Sequence, residues 1–322
     1  MAKIIILGAG SMGTAFSYPC SDNNHDVTII GTHLEDDFID LINSEKKHPI
    51  LDCNIAKNVK FLKLKSLNEE INKKVDLIVV AVISKGIEWA SLQLSKVLKN
   101  NIPILILTKG LSINNNNYEI LAHKMERILI GNGIKKTNIS AAGGPCLAKD
   151  LAKKVHTSVV FANTNINVVN DIKKLVSTDY YHISTTEDIM GVEVCAGIKN
   201  IFSMGVGSAK DLNAAAGLIQ QSIDEMIIFT EKLKGKKETV IGLAGIGDLY
   251  VSADGGRNSK MGKYLGKGFT YKSAKRKFMP KDTIEGAQLA FNIAPYMLKK
   301  INNKKIPLMV SLLKAISKNK KL

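Results

Sequence analysis

Arginine is scarce in this 322-residue chain: among 45 lysines and arginines it occurs only at Arg127, Arg257 and Arg276. A chain that uses lysine almost everywhere keeps an arginine where a flat, permanently charged fork is needed. Such a fork meets phosphate or carboxylate two bonds at a time. Cysteine is scarce as well. Cys20, Cys53, Cys146 and Cys195 show no paired spacing, so neither a metal site nor a disulfide framework is indicated, and a reduced, cytoplasmic protein is expected. Long apolar runs are missing too. Ile4 to Leu7 is too short for a signal-peptide core and Gly8 follows at once. No stretch reads as long enough to span a bilayer, so no integral membrane segment is expected.

Acidic residues are also in the minority, leaving a formal charge of +16 and a pI near 9.5. That balance invites a nucleic-acid reading. The lysines, however, are scattered, with no basic stripe interleaved with aromatics, and Asn and Ile are abundant alongside them, as in a chain-wide compositional bias. No nucleic-acid partner is therefore expected. The run from Lys299 to Lys321 has no acidic residue after Glu285 and reads as a solvated tail whose field helps steer a small anion. With 45% hydrophobic and 23% charged residues the chain is globular, and its length suits two domains.

What is present begins at the N-terminus. Lys3 to Leu7 is a continuous apolar run, as expected of a parallel strand buried on both faces. It leads into Gly8-Ala-Gly10-Ser11-Met12-Gly13 and then a helix-compatible stretch. A bare G-x-G-x-x-G is weak, but directly after a strand it is the dinucleotide fingerprint. Gly8 makes the turn, Gly10 admits the pyrophosphate, and Gly13 lets helix and strand pack closely. His25 to Ile30 supplies the second strand. It ends in Gly31-Thr32-His33 with no acid in place, Thr32 and His33 can tolerate a 2′-phosphate, and Glu35 comes late for the acidic role. NAD and NADP both remain open. Further strands are predicted at Asp76 to Val82, Pro103 to Thr108, Asn138 to Ala142 and Thr157 to Phe161. Alternation with helical segments predicts an α/β, doubly wound, mainly parallel Rossmann-like sheet over residues 1–184.

Residues 185–322 read as an all-helical substrate domain, with helical segments at 213–233, 260–266, 283–300 and 307–318. Gly191 to Gly207 carries glycine and alanine at spacings for tight helix packing, and Lys199 sits in its middle among apolar residues. Burial strips an ammonium of solvation and makes a neutral, basic lysine easier to reach. A lysine snorkelling to the surface is the competing reading, and a partner such as Asp248 decides between them. Around Gly242 to Asn258, Gly255-Gly256 precede Arg257, Asn258 and a predicted helix. Free N–H groups at a helix start beside Arg and Asn make an anion cradle.

Six segments together resemble the NAD(P)-dependent glycerol-3-phosphate dehydrogenase family over essentially the whole chain. They are GAGSMGTA (Gly8 to Ala15), TKGL (Thr108 to Leu111), GGPCLAKDLA (Gly143 to Ala152), GVEVCAGIKN (Gly191 to Asn200), GLAGIGDLYVSADGGRN (Gly242 to Asn258) and TIEGAQLA (Thr283 to Ala290). The resemblance implies interconversion of sn-glycerol 3-phosphate and dihydroxyacetone phosphate with NAD or NADP, in support of phospholipid synthesis, and the small-residue packing of the helical second domain suits a homodimer. It assigns Lys199 as proton acceptor, Asp248 as the acid that orders it, and Lys109 as a contact to substrate and cofactor. Gly144, Cys146, Asn200, Ser252, Gly256, Arg257 and Asn258 fall on substrate positions. Gly8, Gly10, Ser11, Met12, Gly13, Thr32, Ala148, Arg257, Thr283 and Glu285 fall on cofactor positions.

Four departures stand out: Met12 replaces an aromatic, Cys146 a Ser or Thr, Ser252 a Thr, and Ser259 a second base. Alternatives of other classes are an enzyme of the same architecture acting on another small hydroxy or keto anion, and a non-catalytic cofactor sensor. Intact Lys199 and Asp248 speak against the sensor.

Overall fold

The computed structural model describes residues 1–99, 101–300 and 304–322. Part of the lysine-rich run Lys299 to Lys321 thus lies outside the described residues. The chain divides into two compact units. The first comprises Met1–Lys109, Leu121–Ala142 and Cys146–Ile189, and the second Gly110–Ile120, Gly143–Pro145 and Met190–Leu322.

The first unit is built on an eight-stranded sheet. Its strands are β1 (Lys3–Leu7), β2 (Asp26–Ile30), β3 (Val59–Leu62), β4 (Leu77–Val80), β5 (Ile104–Ile106), β6 (Ile139–Gly143), β7 (Thr157–Ala162) and β8 (Tyr181–Thr186). Their order is β8-β7-β6-β5-β4-β1-β2-β3. The pairs β3–β2, β2–β1, β1–β4, β4–β5, β5–β6 and β7–β8 all run parallel. The central strands are covered on both faces, which explains why Ile4 to Leu7 and Leu77 to Val80 are uninterrupted apolar runs with no exposed surface. The chain leaves β1 for β2 on one side and returns to β4 on the other, so the strand order reverses at β1. Leu7 lies opposite both Ile30 and Val80, so the three carboxyl ends are level there. Ligands of open α/β sheets bind at such a switch point.

Strands β3 and β8 and a two-stranded hairpin are not among the strands that the sequence predicts. β3 is only four residues long, and its single cue is the alternation of buried Val59 and Phe61 with exposed Lys60. The hairpin Leu111–Asn114 and Asn117–Ile120 belongs to the second unit, turned by Asn115 and Asn116, both left-handed at φ 47° and 61°. Asparagine tolerates that region, and paired left-handed residues match the twist of a two-residue hairpin.

The second unit packs around α3 (Ile189–Gly207), with α1 (Ser11–Asp22) and α2 (Asp36–Glu45) being the first unit's leading helices. After α3 come α4 (Leu212–Lys232), α5 (Asp248–Ala253), α6 (Arg257–Gly266), α7 (Glu285–Lys300) and α8 (Pro307–Ser317). At 19 residues and mean hydropathy 1.3, α3 has the length and composition to cross a bilayer, which corrects the expectation that no stretch has. It reads as a core helix, because 89% of that window is buried inside the protein. Within α3 a Cβ added at Gly207 would fall 2.4 Å from the Ser259 carbonyl oxygen, the tight packing that its small residues predict, and glycines of the neighbouring helices do the same. A Cβ added at Gly262 or Gly266 of α6 falls 2.1 or 2.2 Å from the carbonyl oxygens of Met204 or Ser208, and one at Gly286 of α7 falls 2.2 Å from that of Asn200. Glycine alone lets these backbones touch α3. The Glu225 carboxylate of α4 accepts the N–H groups of Leu308 and Met309, both at 2.7 Å, and so caps α8 from a distance.

Candidate active site

In the first unit the glycine loop follows β1 as its spacing requires. Gly8 has φ +113°, and an added Cβ there meets the Ala81 carbonyl oxygen at 2.8 Å. A Cβ at Gly13 meets the Gly8 carbonyl oxygen at 2.3 Å, so this glycine sets the close contact of helix and loop. Around Gly10 there is open space, with nothing within 4 Å of an added Cβ. Gly10 also precedes the first turn of α1, which no side chain caps, and Ser11 and Met12 open that turn. A backbone accessible at Gly10 and an uncapped helix start match a pyrophosphate group. The residues present fit a dinucleotide.

Two residues outside the predicted site, His48 and Glu35, fix this loop. His48 is completely buried, its ring edge-on to Phe38, with Nδ1 accepting the Leu51 N–H at 3.1 Å. That bond leaves Nε2 to donate to the Ala9 carbonyl at 3.3 Å. Burial lowers the His48 pKa, outweighing its hydrogen bond to Ala9. On the other side of the same residue, Glu35 Oε2 accepts the Ala9 N–H at 3.2 Å and the Thr32 N–H at 2.7 Å. The sequence cue for either is weak: a lone histidine and an acid placed beyond the usual position.

In the second unit, Lys199 lies on α3 between buried Ile198 and Ile201 and is only 6% exposed. Its Nζ donates to Asp248 Oδ1 at 2.8 Å and to the Ser252 hydroxyl. Asp248 and Ser252 sit four residues apart on α5, which puts both on one helix face. A wide π-type turn, Leu243–Gly247, delivers Asp248 to the first position of that helix. The partner on which the reading of Lys199 depended is therefore in place. Asn200, the next residue, accepts at Oδ1 from Asn258 Nδ2 at 3.1 Å, and Asn258 Oδ1 accepts the Gly286 N–H at 2.9 Å. Asn258 thus ties α3, α6 and the start of α7 together.

Gly255 takes φ +109° and Gly256 leads into α6, whose first turn carries no side-chain cap. Arg257 opens that helix and pairs with Glu285 at the start of α7, their side chains 53% and 44% exposed. Ser259 is fully buried, donates to the Ala253 carbonyl at 2.6 Å, and leaves its backbone oxygen where a Cβ on Gly207 would lie 2.4 Å away. A long basic side chain has no room there, so this departure is explained by packing. Gly144, at φ +100°, also belongs to the second unit, whereas Lys109, Cys146 and Ala148 belong to the first. Cys146 and Ala148 pack partly buried against the first unit's core. Thr283 is exposed just ahead of α7. Among the described residues no group of three or more His, Cys, Asp or Glu is placed to hold a metal ion.

Two family descriptions match in succession: the NAD-dependent glycerol-3-phosphate dehydrogenase N-terminus over residues 3–169 and C-terminus over residues 188–322. A glycerol-3-phosphate dehydrogenase [NAD(P)+] of Francisella tularensis subsp. mediasiatica is 31% identical, with 95% of this chain and 90% of that one covered. An NADP(+)-dependent glycerol-3-phosphate dehydrogenase of Archaeoglobus fulgidus is 30% identical over 84% of this chain and 82% of its own. The crystal structure of glycerol-3-phosphate dehydrogenase from Coxiella burnetii shares the fold, with TM-score 0.84, 23% identity, and coverage of 99% of this chain and 96% of that chain.

Proposed function

The chain belongs to the NAD-dependent glycerol-3-phosphate dehydrogenase family, and on that premise we propose that Lys199 is the proton acceptor in oxidation of the C2 hydroxyl of sn-glycerol 3-phosphate. The chain is an NAD(P)-dependent oxidoreductase, and in the reverse direction dihydroxyacetone phosphate is its substrate. The observation that carries the assignment is the buried lysine held by Asp248 and Ser252.

The residues divide the work in physical terms. Oxidising a secondary alcohol needs a base at the hydroxyl, positive charge at the developing alkoxide, and a fixed position for the reacting carbon. Lys199 Nζ takes the hydroxyl proton in one direction and returns it in the other. Asp248 and Ser252 aim that nitrogen. Lys109 adds positive charge and touches both substrate and cofactor, and Gly144, Cys146 and Asn200 complete the substrate contacts. Gly256, Arg257 and Asn258 hold the substrate phosphate at the start of α6, and binding energy spent on that remote group positions the carbon. When bound, the nicotinamide dinucleotide supplies the hydride acceptor or donor. The loop Gly8 to Gly13 holds its pyrophosphate, and Thr32, Ala148, Arg257, Thr283 and Glu285 complete its contacts. In this reading residues 1–184, without the segments Gly110–Ile120 and Gly143–Pro145 that fold with the second unit, form the dinucleotide domain, and residues 185–322 the substrate domain. A cytoplasmic homodimer supplying glycerol 3-phosphate for phospholipid synthesis is part of the same proposal.

The test is oxidation of NADH and of NADPH by the purified protein with dihydroxyacetone phosphate. Turnover with either is the expected result. Tight cofactor binding without turnover, followed by turnover of a phosphate-free 2-keto acid, overturns the substrate assignment.

A further inference from the structure

The end of β2 carries no acid in sequence, yet the structure brings one there. The chain turns immediately after β2, with the Glu35 N–H donating to the Thr32 carbonyl at 3.1 Å. That turn folds Glu35 back, so that its carboxylate bridges the Thr32 N–H at 2.7 Å and the Ala9 N–H at 3.2 Å. Ala9 is the residue between the first two glycines of the fingerprint, and Thr32 follows the last strand residue by two. An acid at the junction of glycine loop and second strand is where a dinucleotide fold receives the adenosine ribose, and it accepts the 2′-hydroxyl of NAD. In NADP the same position carries a dianionic phosphate, which needs an arginine or similar base.

No arginine lies within this segment, since the arginines are Arg127, Arg257 and Arg276. The residues after Glu35 are Asp36 and Asp37, in the first turn of α2, so two more carboxylates follow the first. The one titratable base in the turn, His33, has its ring against Trp89 at 5.0 Å between centroids. Thr32 and His33 thus offer a phosphate no arginine fork, and three carboxylates stand beside them.

Resting on the dinucleotide reading above, we propose that Glu35, delivered by the turn after β2, is the residue that selects NAD(H) over NADP(H) in this chain. Its carboxylate receives the ribose 2′-hydroxyl and repels a 2′-phosphate. The two backbone donors hold the carboxylate in that position before cofactor arrives.

The experiment is equilibrium titration of the full-length protein with NADH and, separately, NADPH, followed by dinucleotide fluorescence without substrate. The wild-type protein is expected to bind NADH roughly tenfold or more tightly than NADPH. Glu35→Gln keeps the side-chain length, and is expected to bring the two dissociation constants to within about threefold. Glu35→Asp, run in parallel, retains the charge and is expected to keep a preference for NADH. Equal or tighter NADPH binding by the wild type, or an unchanged ratio in Glu35→Gln, overturns the proposal. Either result with turnover of dihydroxyacetone phosphate intact leaves the function standing and removes only this assignment. Absence of binding by both dinucleotides overturns the dinucleotide reading and this proposal with it.

Discussion

The second unit contains two ion pairs of opposite character. Lys199 and Asp248 have side chains only 8% and 3% exposed, while those of Arg257 and Glu285 are 53% and 44% exposed. Both join elements far apart in sequence, and both fall on residues assigned to ligands. Their energetics differ. Burying two charges costs several kcal/mol per ion, and only close geometry with further hydrogen bonds offsets that cost. An exposed pair is worth about 0–1 kcal/mol and exchanges readily with water or with another anion. The buried pair is thus a fixed arrangement, whereas the exposed pair can exchange its partners. On the roles proposed above, the difference separates a group aimed before reaction from one that lets go of its partner to bind.

The first way to break that comparison is to remove the buried cation. Lys199→Ala is expected to lower kcat by roughly 10²–10⁴-fold, the usual contribution of a positioned acid or base. Binding of NADH should persist, because the glycine loop lies in the first unit. Steady-state rates with dihydroxyacetone phosphate, together with an NADH titration, check this. Near-normal turnover removes Lys199 from the chemistry.

Removing the buried anion tests stability as well as rate. Asp248→Ala takes the carboxylate away from a buried ammonium, and breaking such a pair from one side costs about 3–5 kcal/mol. Glu285→Gln breaks the exposed pair and should cost less than about 1 kcal/mol. Denaturant midpoints of the two variants measure the contrast directly. Equal losses would mean that the burial difference carries no energetic weight.

Arg257→Ala sharpens the same comparison from the binding side. Loss of a charge-assisted bond to phosphate is worth about 1.5–3 kcal/mol, so KM for dihydroxyacetone phosphate should rise roughly ten- to a hundredfold with kcat less affected. An unchanged KM removes Arg257 as the phosphate anchor. Glu285→Gln frees the arginine and is expected to lower KM modestly.

Much of this was legible in sequence because each feature has a local cause. The glycine loop is readable since Gly8, Gly10 and Gly13 answer three separate steric demands within six residues. Tight packing on α3 was readable from small residues alone. Lys199 was readable only as a question, because its answer, Asp248, stands 49 positions away. Glu35 and His48 are hard to place from sequence for a related reason. The spacing rule looks for an acid at the strand end, whereas here the turn after β2 folds a later one back onto the Ala9 and Thr32 N–H groups. His48 gains its role from contacts to Ala9 and Phe38, neither of which its own surroundings in sequence announce. The apolar length of α3 went unnoticed because Lys199 and Glu193 interrupt it in sequence, while in the folded unit both are buried.

The smallest expected effect concerns the first unit, where a neutral histidine replaces a charge pair as the fastening device. Buried His48 donates through Nε2 to Ala9 and accepts through Nδ1 from Leu51, and burial lowers its pKa from the ordinary 6.5. Protonation would force Nδ1 to become a donor facing the Leu51 N–H. In the unfolded chain this histidine takes up a proton near its ordinary value, whereas the folded protein resists it. The stability it contributes is therefore complete above about pH 6.5 and is lost as the pH falls below it, by at most about 1.4 kcal/mol per pH unit. Denaturant midpoints between pH 7.5 and 5.5, taken as roughly one unit either side of that value, read the loss. His48→Gln should be less stable at the upper pH but flatter across the window. A wild-type slope that survives unchanged in the variant assigns the acid sensitivity to other groups, and leaves Ala9 held by Glu35 and the backbone alone.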